Sequence, residues 1–281
     1  MGLQPRSDVV RLASSTIRET GHPVLFVHGF AHNRHVWNPL VEGMHESLRP
    51  LLIDLRGHGD SGWSAQCGYA PADYARDFPA FLDGEKLDRV ILVGHSLGGL
   101  SCALFAAQNP ERVSGLVLVD TGPDLSVAAL GRIASETGSG PQSFESVRAY
   151  SDWLIDLIPL ADRRALLAFC EKSLVSRLDN RFELKIDPAA LAPGSDEMSW
   201  SKISSEVHRA LRIIDCPSLV VRGGLSALLS AERAESLVND DLQNGQLVTL
   251  SKAGHAVMLE DAPGLKVAIE SFALEVSAEQ L

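Results

Sequence analysis

Val90-Ile-Leu-Val-Gly94-His95-Ser96-Leu97-Gly98-Gly99 runs from an apolar, β-branched stretch into a helix-forming one through a serine set between two glycines. Val90–Gly94 reads as a strand covered on both faces, and residues 97–109 read as a helix. A G-x-S-x-G segment at such a junction puts the serine on a tight, strained turn, with its Oγ projecting clear of the sheet. Glycines on either side let the strand and helix crowd together there. The helix that begins after Ser96 turns unsatisfied N–H groups and its positive end toward the serine oxygen. Ser96 is therefore the candidate nucleophile, and the Leu97 N–H a candidate oxyanion donor.

The pattern continues outward on both sides. Val24–Val27, Leu51–Asp54, Val113–Asp120, Ser218–Arg222 and Gln246–Leu250 read as further strands, with helices expected near 35–47, 71–84, 230–238 and 262–275. Val9–Leu12 and Thr16–Glu19 fit an antiparallel edge hairpin. The alternation predicts an α/β fold with a parallel sheet and crossover helices. Between Asp120 and Cys216 the rhythm breaks, and no convincing strand is found. Phe144–Ile158, ended by Pro159, and Asp162–Leu178 are helical by spacing, and the loops Thr137–Ser143 and Ala192–Ser195 punctuate them. This interval reads as a helical insertion covering the C-terminal edge of the sheet.

A chain of 281 residues, 45% hydrophobic and 22% charged, is long enough to bury a large core. Its net charge of −11 repels phosphate backbones and anionic lipid surfaces, so neither nucleic acid nor membrane is an expected partner. Cys67, Cys102, Cys170 and Cys216 form no CxxC and read as reduced thiols. With no secretory apolar segment near residue 1 and no apolar run approaching ~20 residues, the expected location is the cytoplasm. No nucleotide or metal motif occurs, so no cofactor and no metal are expected.

Four landmarks stand in order: His28-Gly29-Phe30, Asp54-Leu55-Arg56-Gly57-His58-Gly59-Asp60-Ser61, Gly94-His95-Ser96-Leu97-Gly98-Gly99, and Gly254-His255 before Pro263. In these the chain resembles the α/β-hydrolase family, in particular its serine esterase and lactonase members, over nearly its whole length outside the insertion. The resemblance implies a mostly parallel eight-stranded sheet flanked by helices, with a helical cap inserted after the sixth strand. Residues 1–123 and 206–281 would form the core domain and 124–205 the cap. It also implies that the Phe30 N–H is the second oxyanion donor, that His28 holds its loop, and that Asp54–Ser61 is structural. A serine needs a base within hydrogen-bond reach, and the loop after the last strand can bring His255 there.

The third member of the triad departs from the family pattern. The acid usually follows the strand that returns from the insertion, yet the segment there is Val220-Val-Arg222-Gly223-Gly224-Leu225-Ser226-Ala227-Leu228-Leu229-Ser230. Ala227 stands where an aspartate is expected. In some members the acid comes instead from the end of the preceding strand, where this chain has Asp120. Asp in Asp120-Thr121-Gly122-Pro123 equally suits a turn cap. Asp124 and Glu232 are weaker candidates. Alternatively the triad is incomplete, as in a weakly active enzyme, a ligand-binding homologue or an engineered acid-to-Ala variant.

A serine nucleophile argues against the relatives that use aspartate, the epoxide hydrolases and haloalkane dehalogenases. Ser96 and His255 with an oxyanion hole suit acyl transfer from a small-molecule ester, lactone or related carbonyl substrate to water. C–C bond hydrolysis of diketone-type acids is the alternative, as is non-hydrolytic ligand binding. Trp153, Leu154, Leu157 and Ile158 are candidate pocket walls in the insertion. Arg132 and Arg148 are its unassigned cations.

Overall fold

The computed structural model describes residues 6–7, 10–141, 143–191 and 197–279. Its main sheet has seven strands, in the order Gly245–Leu250, Ser218–Gly223, Val113–Val119, Val90–His95, His22–Val27, Leu48–Ile53 and Ser14–Thr16. All neighbours are parallel except Ser14–Thr16, which runs antiparallel to Leu48–Ile53. The strand pattern of the sequence is thus borne out, with Val90–His95 at the centre of the sheet.

The apolar runs are continuous because both faces are covered. Leu25, Val27, Leu92, Leu116, Leu118 and Val220 point into one core, while Val24, Phe26, Ile91, Val93, Val117 and Val221 point into the other. The first core is closed by Phe78, Leu104, Phe105 and Leu211, and the second by Trp37, Leu40, Ile269 and Phe272. Cys102, Cys170 and Cys216 are buried, and none forms a disulfide. No helix of the described residues is long and apolar enough to cross a membrane.

The sheet has seven strands where eight were expected, because the N-terminal hairpin does not form as read. Val9 lies outside the described residues. The Arg11 carbonyl accepts from Gly62 N–H at 3.0 Å, and the Ala13 N–H donates to Ser61 Oγ at 2.8 Å. The Arg11–Ala13 backbone is thereby committed to the loop after Leu48–Ile53 rather than to a partner strand. Past Ser14–Thr16 the chain turns at once, with Thr16 Oγ1 donating to the Arg18 carbonyl.

Helices also differ in extent. The one expected near 35–47 is a 3-10 turn, Arg34–Trp37, followed by Asn38–Val41, and is closed off by Gly43 at φ +74°. Residues 71–84 split into Pro71–Ala75 and Phe78–Gly84, because Pro79 lacks an N–H and suits a helix's first turn. Between Val119 and Ser218 lie Val127–Gly138, Val147–Leu157, Arg163–Ser173, Pro188–Leu191 and Glu197–Leu211. Ser126, Ser146 and Asp162 cap the first three by accepting backbone N–H groups. This interval does contain strands: Leu174–Ser176 pairs antiparallel with Phe182–Leu184. Three-residue strands carry too little periodicity to stand out, and the first starts where the expected 162–178 helix breaks at Leu174. The Ala192–Ser195 loop lies outside the described residues.

Candidate active site

The strand Val90–His95 is buried along its length and delivers Ser96 at φ +50° and ψ −121°. A non-glycine residue there is strained by about 1–3 kcal/mol and persists only where its surroundings hold it. The holding contacts are present. The Ser96 N–H donates to the Val119 carbonyl at 3.1 Å, and Thr121 Oγ1 donates to the Ser96 carbonyl at 2.9 Å. A Cβ on Gly98 would lie 2.4 Å from the His28 oxygen and 2.5 Å from that of Val27, so only glycine fits. The helix Leu97–Gln108 starts immediately after, leaving the Leu97 N–H without an intrahelical acceptor.

The His28-Gly29-Phe30 loop packs directly on this turn. A Cβ on Gly29 would meet His95 Nδ1 at 2.6 Å and Ser96 Cβ at 3.1 Å. His28 is fully buried; its Nε2 accepts from Leu55 N–H at 2.9 Å, so its Nδ1–H donates to the Gly29 carbonyl at 2.8 Å. Burial holds its pKa well below the ordinary imidazole range, so it stays neutral. Asp54 is likewise buried, accepting the Arg34 and Asp60 N–H groups at 2.6 and 2.8 Å and pairing with the Arg34 guanidinium. These contacts tie the loops together and leave both side chains away from the cavity.

His255 stands in the loop after Gly245–Leu250, and its Nδ1 lies 2.8 Å from Asp120 Oδ2. Asp120 is fully buried at φ +46°, one residue beyond the strand Val113–Val119. Its Oδ1 accepts the Gly223 N–H at 3.0 Å, and its Oδ2 also accepts the Ser226 hydroxyl at 2.5 Å. The His255 backbone is anchored too: His95 Nε2 hydrogen-bonds to its carbonyl at 2.9 Å, with ring centroids 4.6 Å apart. Ala227 lines the cavity instead of facing the imidazole with a polar group. Asp124 turns elsewhere, 3.2 Å from His208 Nε2 and 3.6 Å from Arg233, and Glu232 is exposed in a helix's first turn.

A cavity of about 950 Å³ opens onto Ser96 and His255 and is also lined by Phe30 and Leu97. Trp153, Leu154, Leu157 and Ile158 all line it, as does Arg132. Arg148 does not; its side chain is 86% exposed, 3.9 Å from Asp152. Among the described residues no group of three or more His, Cys, Asp or Glu side chains could hold a metal ion.

Three contacts were not anticipated from sequence: Ser226 on Asp120, His95 on the His255 carbonyl, and Glu260 on the Gly254 N–H at 2.6 Å. Ser226 adjoins the vacant position 227, and its hydroxyl was the available signal. The other two depend on loop-to-loop approach, which leaves no local pattern.

A family profile for the alpha/beta hydrolase fold matches residues 22–262. The 2-(acetamidomethylene)succinate hydrolase of Mesorhizobium japonicum is 30% identical over 228 residues, covering 80% of this chain and 79% of that protein. An esterase of Mycobacterium tuberculosis is 27% identical over 247 residues, 86% of this chain and 79% of its own. Among solved structures, an alpha/beta hydrolase from Novosphingobium aromaticivorans superposes with a TM-score of 0.78 at 29% identity, over 96% of both chains. These relatives are named as hydrolases, and the profile spans most of the length. The chain belongs to the alpha/beta hydrolase fold family.

Proposed function

We propose that this protein is a serine hydrolase of carboxylic esters or lactones, working through an acyl-enzyme on Ser96. The Asp120–His255 hydrogen bond of 2.8 Å, beside a strained Ser96 on the same cavity, carries the reading. With Nδ1–H donated to Asp120, His255 is held in the tautomer whose Nε2 can accept the Ser96 proton. The serine oxygen attacks the carbonyl carbon, and the oxyanion that forms is met by the N–H groups of Phe30 and Leu97. One such donor is worth about 3 kcal/mol of barrier. Collapse breaks the bond to the alkoxy group, which leaves with the proton from His255. Water then attacks the acyl carbon, gives its proton to His255, and the acid departs as Ser96 is restored.

In this scheme Asp120 orients His255 and stabilises its cationic form, replacing the acid that position 227 lacks. Residues 124–205 act as a cap that roofs the cavity, and 1–123 with 206–281 form the catalytic core. Buried thiols without disulfides suit a reducing compartment such as the cytoplasm.

Steady-state hydrolysis of short p-nitrophenyl esters tests the proposal. Turnover should be abolished in Ser96→Ala. Equal rates for wild type and Ser96→Ala would refute it.

A further inference from the structure

Charged groups line the cavity unevenly. Among the described residues the cavity is lined by Asp73, Glu136, Asp156, Glu260 and Arg132, of which Glu136, Asp156 and Arg132 are exposed. Asp73 is paired with Arg76 at 2.8 Å, and among the described lining residues Glu136, Asp156 and Glu260 stand against Arg132. Glu136 follows Arg132 by one turn on the helix Val127–Gly138, so that cation has an acidic neighbour on its own face. The imidazoles of His32 and His95 do not offset the balance. Burial first, and then the nearby His255, hold both far below their ordinary range, His32 at about 3.

Glu260 is the lining carboxylate tied to the loop that carries His255. Its Oε2 accepts the N–H of Gly254, the residue before His255, at 2.6 Å. Much of the remaining wall is apolar, including Leu130, Ile133, Trp153, Leu157 and Trp200. A substrate carboxylate entering this cavity would lose water and gain no unopposed cation. A hydrocarbon chain would find apolar surface along much of the wall.

Resting on the serine-hydrolase reading above, we infer that the site takes esters with a bulky, uncharged, apolar acyl group and rejects acyl groups that end in a carboxylate. Glu260, hydrogen-bonded to the residue before His255, is the specificity-determining residue. The preference belongs to the wall, so it is measurable in binding as well as in turnover.

p-Nitrophenyl hexanoate and mono-p-nitrophenyl adipate share a six-carbon acyl chain and differ in one terminal carboxylate. Wild-type kcat/KM should favour the hexanoate by about 20-fold, as expected for a like charge held several ångströms away in a partly buried site. Glu260→Gln keeps an acceptor for the Gly254 N–H and removes the charge, so it should narrow that ratio by about threefold or more. Equal or faster turnover of the adipate by wild type overturns the inference, and an unchanged ratio in Glu260→Gln overturns the role of Glu260. An acyl chain ending in trimethylammonium that outpaces the hexanoate would also overturn it, by showing a site for cations.

Binding separates this inference from the hydrolase reading. Ser96→Ala is titrated with methyl hexanoate and with monomethyl adipate, read by the fluorescence of Trp153 and Trp200. Tighter binding of the hexanoate is expected even if wild type turns over neither p-nitrophenyl ester. That pairing of results would sink the hydrolase reading alone, whereas equal or tighter binding of the adipate sinks the substrate preference.

Discussion

The Asp120 carboxylate reaches Nδ1 of His255 at 2.8 Å, although the two residues are separated by 135 positions in the chain. Asp120 directly follows the strand beside the nucleophile strand, and His255 follows the strand two places further out. The sheet order therefore brings both to the C-terminal edge next to Ser96. Asp120→Asn preserves shape but favours the wrong imidazole tautomer. It should lower kcat by on the order of 10⁴ while leaving folding intact, measured by steady-state ester hydrolysis beside circular dichroism. Ala227→Asp, by contrast, should give no gain in kcat over wild type, since the imidazole already has its acceptor.

Ser226 supplies a second test of the same acid. Its hydroxyl donates to Asp120 Oδ2 at 2.5 Å and accepts the Leu228 N–H at 3.1 Å. Removing a hydrogen bond to a buried carboxylate costs about 1.5–3 kcal/mol. If half of that falls on the imidazolium-bearing transition state, Ser226→Ala lowers kcat about 4- to 13-fold. Unchanged kcat would mean that the Asp120 geometry does not depend on this hydroxyl.

The turn itself tolerates no side chain at position 98. A Cβ there would press on two backbone carbonyl oxygens, at 2.4 and 2.5 Å, neither of which can swing aside. Gly98→Ala should destabilise the fold by about 3 kcal/mol, the upper end for overpacking, and should abolish ester hydrolysis. Urea denaturation gives the first quantity. A wild-type midpoint with full activity would contradict the close packing described here.

Acid should weaken the fold through buried histidines. Burial holds His28 and His95 well below the ordinary value, His32 at about 3 and His58 at about 4. These are bases with depressed folded pKa values, so the unfolded chain binds more protons below the ordinary value of 6.5. Their contribution is fully present above that pH and is lost as pH falls from 6.5 toward 4. The urea midpoint should therefore drop between pH 7 and pH 5. In His32→Leu the slope over pH 5–6 should ease by about 1 kcal/mol per pH unit. A midpoint that rises on acidification would contradict the neutral, buried state of these rings.

The legible parts of this protein are those whose physics is local. Val90–Gly94 announces a strand covered on both faces through its unbroken apolar run. Gly94, Ser96 and Gly98 mark the turn because backbone crowding leaves glycine no substitute. Non-local pairings were less legible. Asp120 as a turn cap and Asp120 as the partner of His255 look alike in sequence, and only the approach of two loops separates them. Leu174–Ser176 and Phe182–Leu184 are strands through pairing alone. The expected hairpin at Val9–Leu12 failed because the carbonyl of Arg11 and the N–H of Ala13 found partners in the 61–62 loop, which no pattern within that segment foretells.

The most direct measurement is covalent labelling of Ser96. Wild type is treated with a fluorophosphonate, digested and read by mass spectrometry, beside Ser96→Ala and Asp120→Asn. A phosphonyl adduct on the peptide carrying Ser96, absent in Ser96→Ala and formed far more slowly in Asp120→Asn, is the expected result. No adduct at Ser96, or an adduct that forms as fast in Asp120→Asn as in wild type, would contradict the Ser96–His255–Asp120 assignment.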